Sequence, residues 1–124
     1  MTLFEILADY QTLPEYSGIR LVDVHQKSLF NDCPFNIAAT RGAIKEMEVL
    51  LSNDADINCK GEHNYTPLHN AVEQGHAPAV RWLLERGADI NAKTDDGLTP
   101  QDLARYLGQP SMEQLLGEHD ATNR

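Results

Sequence analysis

Cysteine is scarce in this chain: two residues, Cys33 and Cys59, among 124. Two are too few for the disulfide framework that holds many small secreted domains, so a reducing, cytoplasmic setting is expected. Long apolar runs are missing as well, and no stretch approaches the roughly 20 apolar residues needed to span a bilayer. The opening Met1-Thr2-Leu3-Phe4-Glu5 has neither the basic nor the long apolar region of a secretory leader. Positive charge is in short supply, with 10 Lys and Arg against 19 Asp and Glu, a net charge of −9 and a pI near 4.8. Such a balance repels phosphate backbones and anionic headgroups, which argues against nucleic-acid and membrane-surface partners. With 6 Pro, 8 Gly and 41% hydrophobic residues, the composition is that of one globular domain.

What is present is a repeat. Shifted by 33 residues, the chain matches itself without a gap. Asp23, Asp56 and Asp89 align, as do Val24, Ile57 and Ile90, and then Lys27, Lys60 and Lys93. Asn31, Asn64 and Gly97 form the next column, followed by Cys33, Thr66 and Thr99, and by Pro34, Pro67 and Pro100. Ala38, Ala71 and Ala104 precede Gly42, Gly75 and Gly108, and Leu50, Leu83 and Leu116 close the set.

The columns have physical meaning. Asn and Gly tolerate positive φ and mark a turn tip. Thr66 and Thr99 can cap a helix whose favoured first position holds Pro67 or Pro100, while Cys33 is a poor cap in the same slot. The small alanines let neighbouring helices approach, and the glycine column ends the first helix. A second helix follows, with Met47, Leu50 and Leu51, or Val80, Leu83 and Leu84, at helical spacing. Each unit is expected to be helix, turn, helix and an extended hairpin leading to the next.

Thr66-Pro67-Leu68-His69-Asn70-Ala71, Gly75-His76, Leu83-Leu84 and Gly87-Ala88-Asp89 closely resemble an ankyrin repeat. The third copy keeps Asp96-Gly97-Leu98-Thr99-Pro100 and Asp102-Leu103-Ala104, whereas the first is looser, with Asp54-Ala55-Asp56 in place of Gly-Ala-Asp. The resemblance implies an all-α repeat solenoid of about three ankyrin repeats with an N-terminal cap. Residues 1–27 would form the cap and first hairpin strand, 28–60 repeat 1, 61–93 repeat 2, and 94–124 repeat 3 with the C-terminal cap. Leu3, Phe4, Ile6, Leu7 and Tyr10 predict a short amphipathic helix, Thr12 to Gly18 an irregular connection, and Arg20 to Val24 a strand. Gln101, Arg105, Gln109 and Gln114 stand among the apolar positions of the last copy, as suits an end that meets water. The polar Glu118 to Arg124 is expected to fray.

Catalytic and metal chemistry find little support. His63, His69 and His76 lie close in sequence to Cys59, but no C-x-x-C or H-x-x-x-H spacing accompanies them. The resemblance makes His69 and His76 structural, tying neighbouring loops and helices. Cys33 and Cys59 lack the electropositive surroundings of a nucleophile, and align with capping threonines and with Ala92. Asp95-Asp96-Gly97 lacks the alternating ligands of a calcium loop, and no glycine-rich phosphate cradle occurs. No cofactor is expected.

Surface for a protein partner remains. Ankyrin proteins bind through fingertips and the concave face of the first helices. Carried over, the fingertip candidates are Leu29, Phe30 and Asp32, then Glu62, His63 and Tyr65, then Asp95, Asp96 and Leu98, with Lys60 and Lys93 flanking. Helix-face candidates are Thr40 and Arg41, Glu73 and Gln74, and Tyr106 and Leu107. Phe30 has an alternative role beneath the N-terminal cap, and Trp82 stands where packing is expected. The leading expectation is a small monomeric binding protein that neutralises a protein partner, such as an immunity protein bound to a basic toxin domain. Small ankyrin proteins occur among immunity families, and acidity would speed association with a basic target. The competing expectation is a non-inhibitory scaffold or regulatory subunit, and a third, an enzyme or metal protein built on the histidines, has least support.

Overall fold

The computed structural model describes residues 1–122. Among them are seven α-helices: α1 (Leu3–Gln11), α2 (Pro34–Arg41), α3 (Ile44–Ser52), α4 (Pro67–Glu73), α5 (Ala77–Glu85), α6 (Pro100–Tyr106) and α7 (Pro110–Thr122). The first helices α2, α4 and α6 stack side by side, and each packs against its own second helix, α3, α5 or α7. The result is a two-layer helical solenoid, with α1 placed against α3 at its start.

The 33-residue period reappears bond by bond. Each hairpin turn closes between equivalent residues: Ser28 N–H donates to Asp32 O (2.8 Å), Gly61 N–H to Tyr65 O (2.8 Å) and Thr94 N–H to Leu98 O (3.0 Å). Asn31, Asn64 and Gly97 at the tips have φ of 69°, 60° and 77°, which explains that column's restriction to residues tolerant of left-handed backbone. The helix-ending glycine of the first unit, Gly42, has φ 67°, and an added Cβ would also meet the His76 ring at 2.7 Å. Among the described residues no β-strand forms, so the expected extended hairpins, including one opening at Arg20 to Val24, are isolated turns rather than paired strands. Their backbone is instead held by side chains. Asp23, Asp56 and Asp89 each accept from the amide two residues ahead.

The core follows the columns. Ala38, Ala71 and Ala104 are fully buried where the first helices touch, and Leu50, Leu83 and Leu116 are fully buried in the second layer. Trp82 is buried too, with its ring 6.4 Å from that of Phe35 and under the Arg86 guanidinium. At the N-terminal end, Ile6, Leu7 and Tyr10 of α1 face inward while Phe4 stays exposed. The connection from Thr12 to Gly18 contains one 3₁₀ turn, Pro14–Tyr16. Its buried Tyr16 donates to Gln26 O at 2.9 Å and lies 3.2 Å from Asp32 O, which ties the cap to the first finger.

Two further expectations need correction. Residues 118–122 are helical rather than irregular; α7 continues through Thr122, while Asn123 and Arg124 lie outside the described residues. Met112 and Leu116 anchor this helix beneath α6, and Arg105 braces it through Glu113 at 2.9 Å, so the polar tail extends a helix already nucleated. Nor are the cysteines independent. Cys33 and Cys59 are buried and joined in a disulfide, their Cα atoms 6.7 Å apart. The poor cap and the small residue turn out to be two ends of one contact, from the start of α2 to the segment that leads into the second hairpin.

Candidate protein-binding surface

The surface is built from helix starts. At each, the backbone N–H of the capping residue donates to the side chain three positions on: Cys33 to Asn36 (3.0 Å), Thr66 to His69 (3.2 Å) and Thr99 to Asp102 (3.1 Å). The same side chains reach forward. Asn36 Nδ2 donates to Tyr65 O (3.3 Å), and His69 Nε2 donates to the equivalent Leu98 O (2.9 Å). Because a carbonyl only accepts, His69 carries its proton on Nε2 and accepts at Nδ1. Burial pushes its pKa down, which suits this neutral form. His76 likewise ties α5 to the neighbouring unit, donating from Nε2 to Thr40 O at 3.0 Å.

These ties position the fingers above the first helices and leave a recess of about 220 Å³ between fingers one and two. Its walls are Asp32, Thr40, Glu62, His63, Tyr65, Asn70 and Glu73. Asp32 and Glu62 come together because the Asp32 carboxylate accepts the Glu62 backbone N–H at 3.0 Å. Tyr65 is half-buried, its ring 5.5 Å from that of His69 and tilted 45° to it. Burial, and then the facing Glu73 carboxylate, push its hydroxyl up to about 12, with Asp96 and Tyr106 also acting on it.

Negative charge dominates this face. Glu15, in the cap's 3₁₀ turn, approaches Asp32 and Glu62; burial and then those two charges push its carboxyl up to about 6. Burial also raises Asp32, with the Glu62 charge, against the lowering effects of the Glu62 N–H and Lys27. The nearby cations also make contacts within the molecule. Lys27 Nζ donates to the Lys60 carbonyl. Arg41 turns to the cap, 2.9 Å from Asp9 and 3.6 Å from Glu46, with its guanidinium 4.5 Å above the Tyr10 ring.

The other candidates spread along the same edge. Leu29 and Phe30 are exposed on finger one, 62% and 54%, rather than tucked beneath the cap. His63 is exposed at the second tip, its carbonyl accepting from Asp95 N–H (3.0 Å), and Asn64 donates to the Asp95 carboxylate (2.8 Å). Asp96 is exposed on the third finger, whereas Leu98 turns partly into the core. Gln74 lies exposed just past α4 and Leu107 just past α6, next to the largely exposed Tyr106. Lys60 and Lys93 are exposed at the finger bases. Asn70 lines the recess and Glu15 approaches its Asp32 and Glu62 wall; neither was among the sequence candidates. Glu15 lies outside the repeat register, so no column could point to it, and Asn70 shares a column with the apolar Ile37 and Leu103.

A larger recess of about 400 Å³ lies in the second layer, between α5 and α7, lined by Gly75, Ala77, Arg81, Gln109, Pro110, Ser111, Met112 and Leu115. None of the acidic or aromatic candidates borders it. Among the described residues, no three His, Cys, Asp or Glu side chains gather as a metal-ligand set. No helix among them is long and apolar enough to cross a membrane.

No curated protein matches the chain. Residues 50–104 match the family model described as ankyrin repeats (many copies), a stretch running from α3 to α6. Ankyrin repeats are protein–protein interaction modules. The matched residues are similar to ankyrin repeats, and with the repeating hydrogen bonds on either side of them the chain has the fold of a helical ankyrin-repeat solenoid.

Proposed function

We propose that the chain binds a basic face of a protein partner in the groove centred on Tyr65 and neutralises it, as an immunity protein neutralises a toxin. One observation carries the reading: Asp32, Glu62 and Glu73 line one recess with a half-buried tyrosine and Glu15 approaches the first two, while Arg41 and Lys27 make contacts within the molecule. A partner's Lys or Arg entering there would relieve repulsion among the carboxylates and meet an aromatic face. Tyr106, which acts on the Tyr65 hydroxyl, and its neighbour Leu107 are exposed and offer apolar area beside the charges, the combination of aromatic anchor and charged rim that concentrates binding energy. The free protein is expected to be a cytoplasmic monomer.

The test compares wild type with a Tyr65→Ala/Glu73→Ala variant as bait in affinity capture. Glu73 is exposed and Tyr65 only half-buried, so the variant is expected to fold with a modestly lowered melting temperature, which thermal denaturation checks before capture. A basic protein held one to one by wild type, lost by the variant, and inactive while bound would support the reading. A partner that keeps its activity in the complex would favour the scaffold role. Equal capture by the two baits would remove the groove from consideration.

A further inference from the structure

The only two cysteines in the chain fall in different columns of the repeat, yet meet at one junction. The corresponding positions at the next junction hold Thr66 and Ala92, which cannot be joined. We infer that Cys33–Cys59 is a reversible redox link that stiffens the wall between fingers one and two and so sets how well the acidic groove holds its partner. The inference rests on the groove being the binding site.

The link's place gives it this leverage. Cys33 directly follows Asp32, whose carboxylate holds the Glu62 N–H and lies against the backbone of Gly61. Cys59 stands two residues before Gly61, and its carbonyl accepts from Asn36 Nδ2 at 3.0 Å. One wall of the recess is therefore suspended from the two residues that the disulfide joins. With the bond reduced, finger two is held to the first unit by noncovalent contacts alone, among them hydrogen bonds from Asn36 and Lys27 and to Asp32. With it formed, finger two is covalently fixed before any partner arrives, and less motion is lost on binding. No such constraint acts between fingers two and three.

The chemistry is thiol–disulfide exchange with a small-molecule disulfide such as oxidised glutathione. The thiolate of one cysteine attacks the oxidant, releasing one thiol and leaving a mixed disulfide. The second cysteine's thiolate displaces the other thiol. Two protein thiols lose their hydrogens, one small disulfide becomes two thiols, and the electrons balance. In a reducing compartment the pair would stand as a dithiol and close when the thiol pool is oxidised. Burial of both sulfurs makes exchange depend on local opening of finger two.

The test equilibrates the full chain in oxidised or reduced glutathione, counts free thiols by alkylation and mass, and follows amide hydrogen exchange. Gly61 N–H, bonded to Tyr65 O, is the reporter, and its counterpart at the unlinked junction, Thr94 N–H bonded to Leu98 O, is the control. In the oxidised state no free thiol is expected, with exchange at Gly61 and Glu62 slowed about tenfold and Thr94 unchanged. The Cys33→Thr/Cys59→Ala variant copies the residues of the second junction; it should fold and respond to neither buffer. Tighter retention of the captured partner by the oxidised wild type, but not by this variant, would complete the support. Two free thiols in oxidised glutathione, or equal exchange in both states, would overturn the link. Slowed exchange with partner retention unchanged would overturn its control of the groove. Failure of the groove itself is seen separately, as undiminished capture by the Tyr65→Ala/Glu73→Ala variant.

Discussion

His69 shows how one side chain can serve two units. Its Nδ1 accepts the Thr66 N–H, and its Nε2 closes the gap to Leu98 O on the next finger. Removing the ring leaves a donor and an acceptor unpaired in buried surroundings, so His69→Ala is expected to cost about 3 kcal/mol by chemical denaturation. His69→Asn should recover about half of that, because Asn36 makes both equivalent bonds in the first unit. Equal losses for the two variants would contradict the bridging role. Glu15 works in the opposite sense. Its carboxyl rises from the ordinary 4.5 to about 6 on folding, so the folded chain holds this proton more tightly than the unfolded one. The contribution to stability accordingly falls as pH rises from about 4.5 to about 6, and the cost is fully present above that window. Glu15→Gln should raise the melting temperature at pH 7 and leave it nearly unchanged at pH 4, measured by thermal denaturation. Asp102 has the reverse sign. The Thr99 N–H and hydroxyl hold its carboxyl below the usual value, a stabilisation lost as acid is added.

Helices here are short, seven to nine residues except for α7 with thirteen, so their own propensity cannot sustain them. Stability comes from caps and from burial between neighbours. α5 illustrates this: Val80 and Leu83 are fully buried, Leu84 and Trp82 nearly so, and the helix rests on α4. Leu83→Ala is expected to cost about 2–5 kcal/mol, a large part of the total for a domain of this size, as read from the denaturant midpoint. A midpoint shift below about 1 kcal/mol would mean that this layer collapses around the missing group. The spacing of Leu50, Leu83 and Leu116 foretold this layer, since each recurs at a period fixed by one repeat. The length of α7 was not legible in the same way. Its last turns are polar and carry no column, and their helix is propagated from the Met112 and Leu116 contacts with the unit before.

At the scale of the whole molecule, a net charge of −9 is unevenly used. Pairs such as Arg41–Asp9 and Arg105–Glu113 consume cations along the solenoid's ends, leaving carboxylates to dominate the groove in the middle. Association with a basic partner should therefore be steered. Its on-rate is expected to fall roughly tenfold from low to high salt while the off-rate changes less, which stopped-flow or surface-binding kinetics would measure. A salt-independent on-rate would point to apolar contacts, through Phe30, Tyr106 and Leu107, as the main determinant.

Much of the repeat could be worked out from the amino-acid sequence alone. The tips at Asn31, Asn64 and Gly97, the prolines opening α2, α4 and α6, the glycines closing them and the buried alanines all follow from preferences of single residues and near neighbours. Such preferences recur with the repeat, so three imperfect copies reinforce one another. Only the tertiary structure decided which residues share the groove and which are withdrawn from it. Cys33 meets Cys59 across 26 positions and Arg41 meets Asp9 across 32, while Glu15 joins Asp32 through a cap outside the register. Each pairing depends on how one unit is rotated and translated onto the next. No local propensity encodes that placement, because it is set by the packing of the two helix layers as a whole.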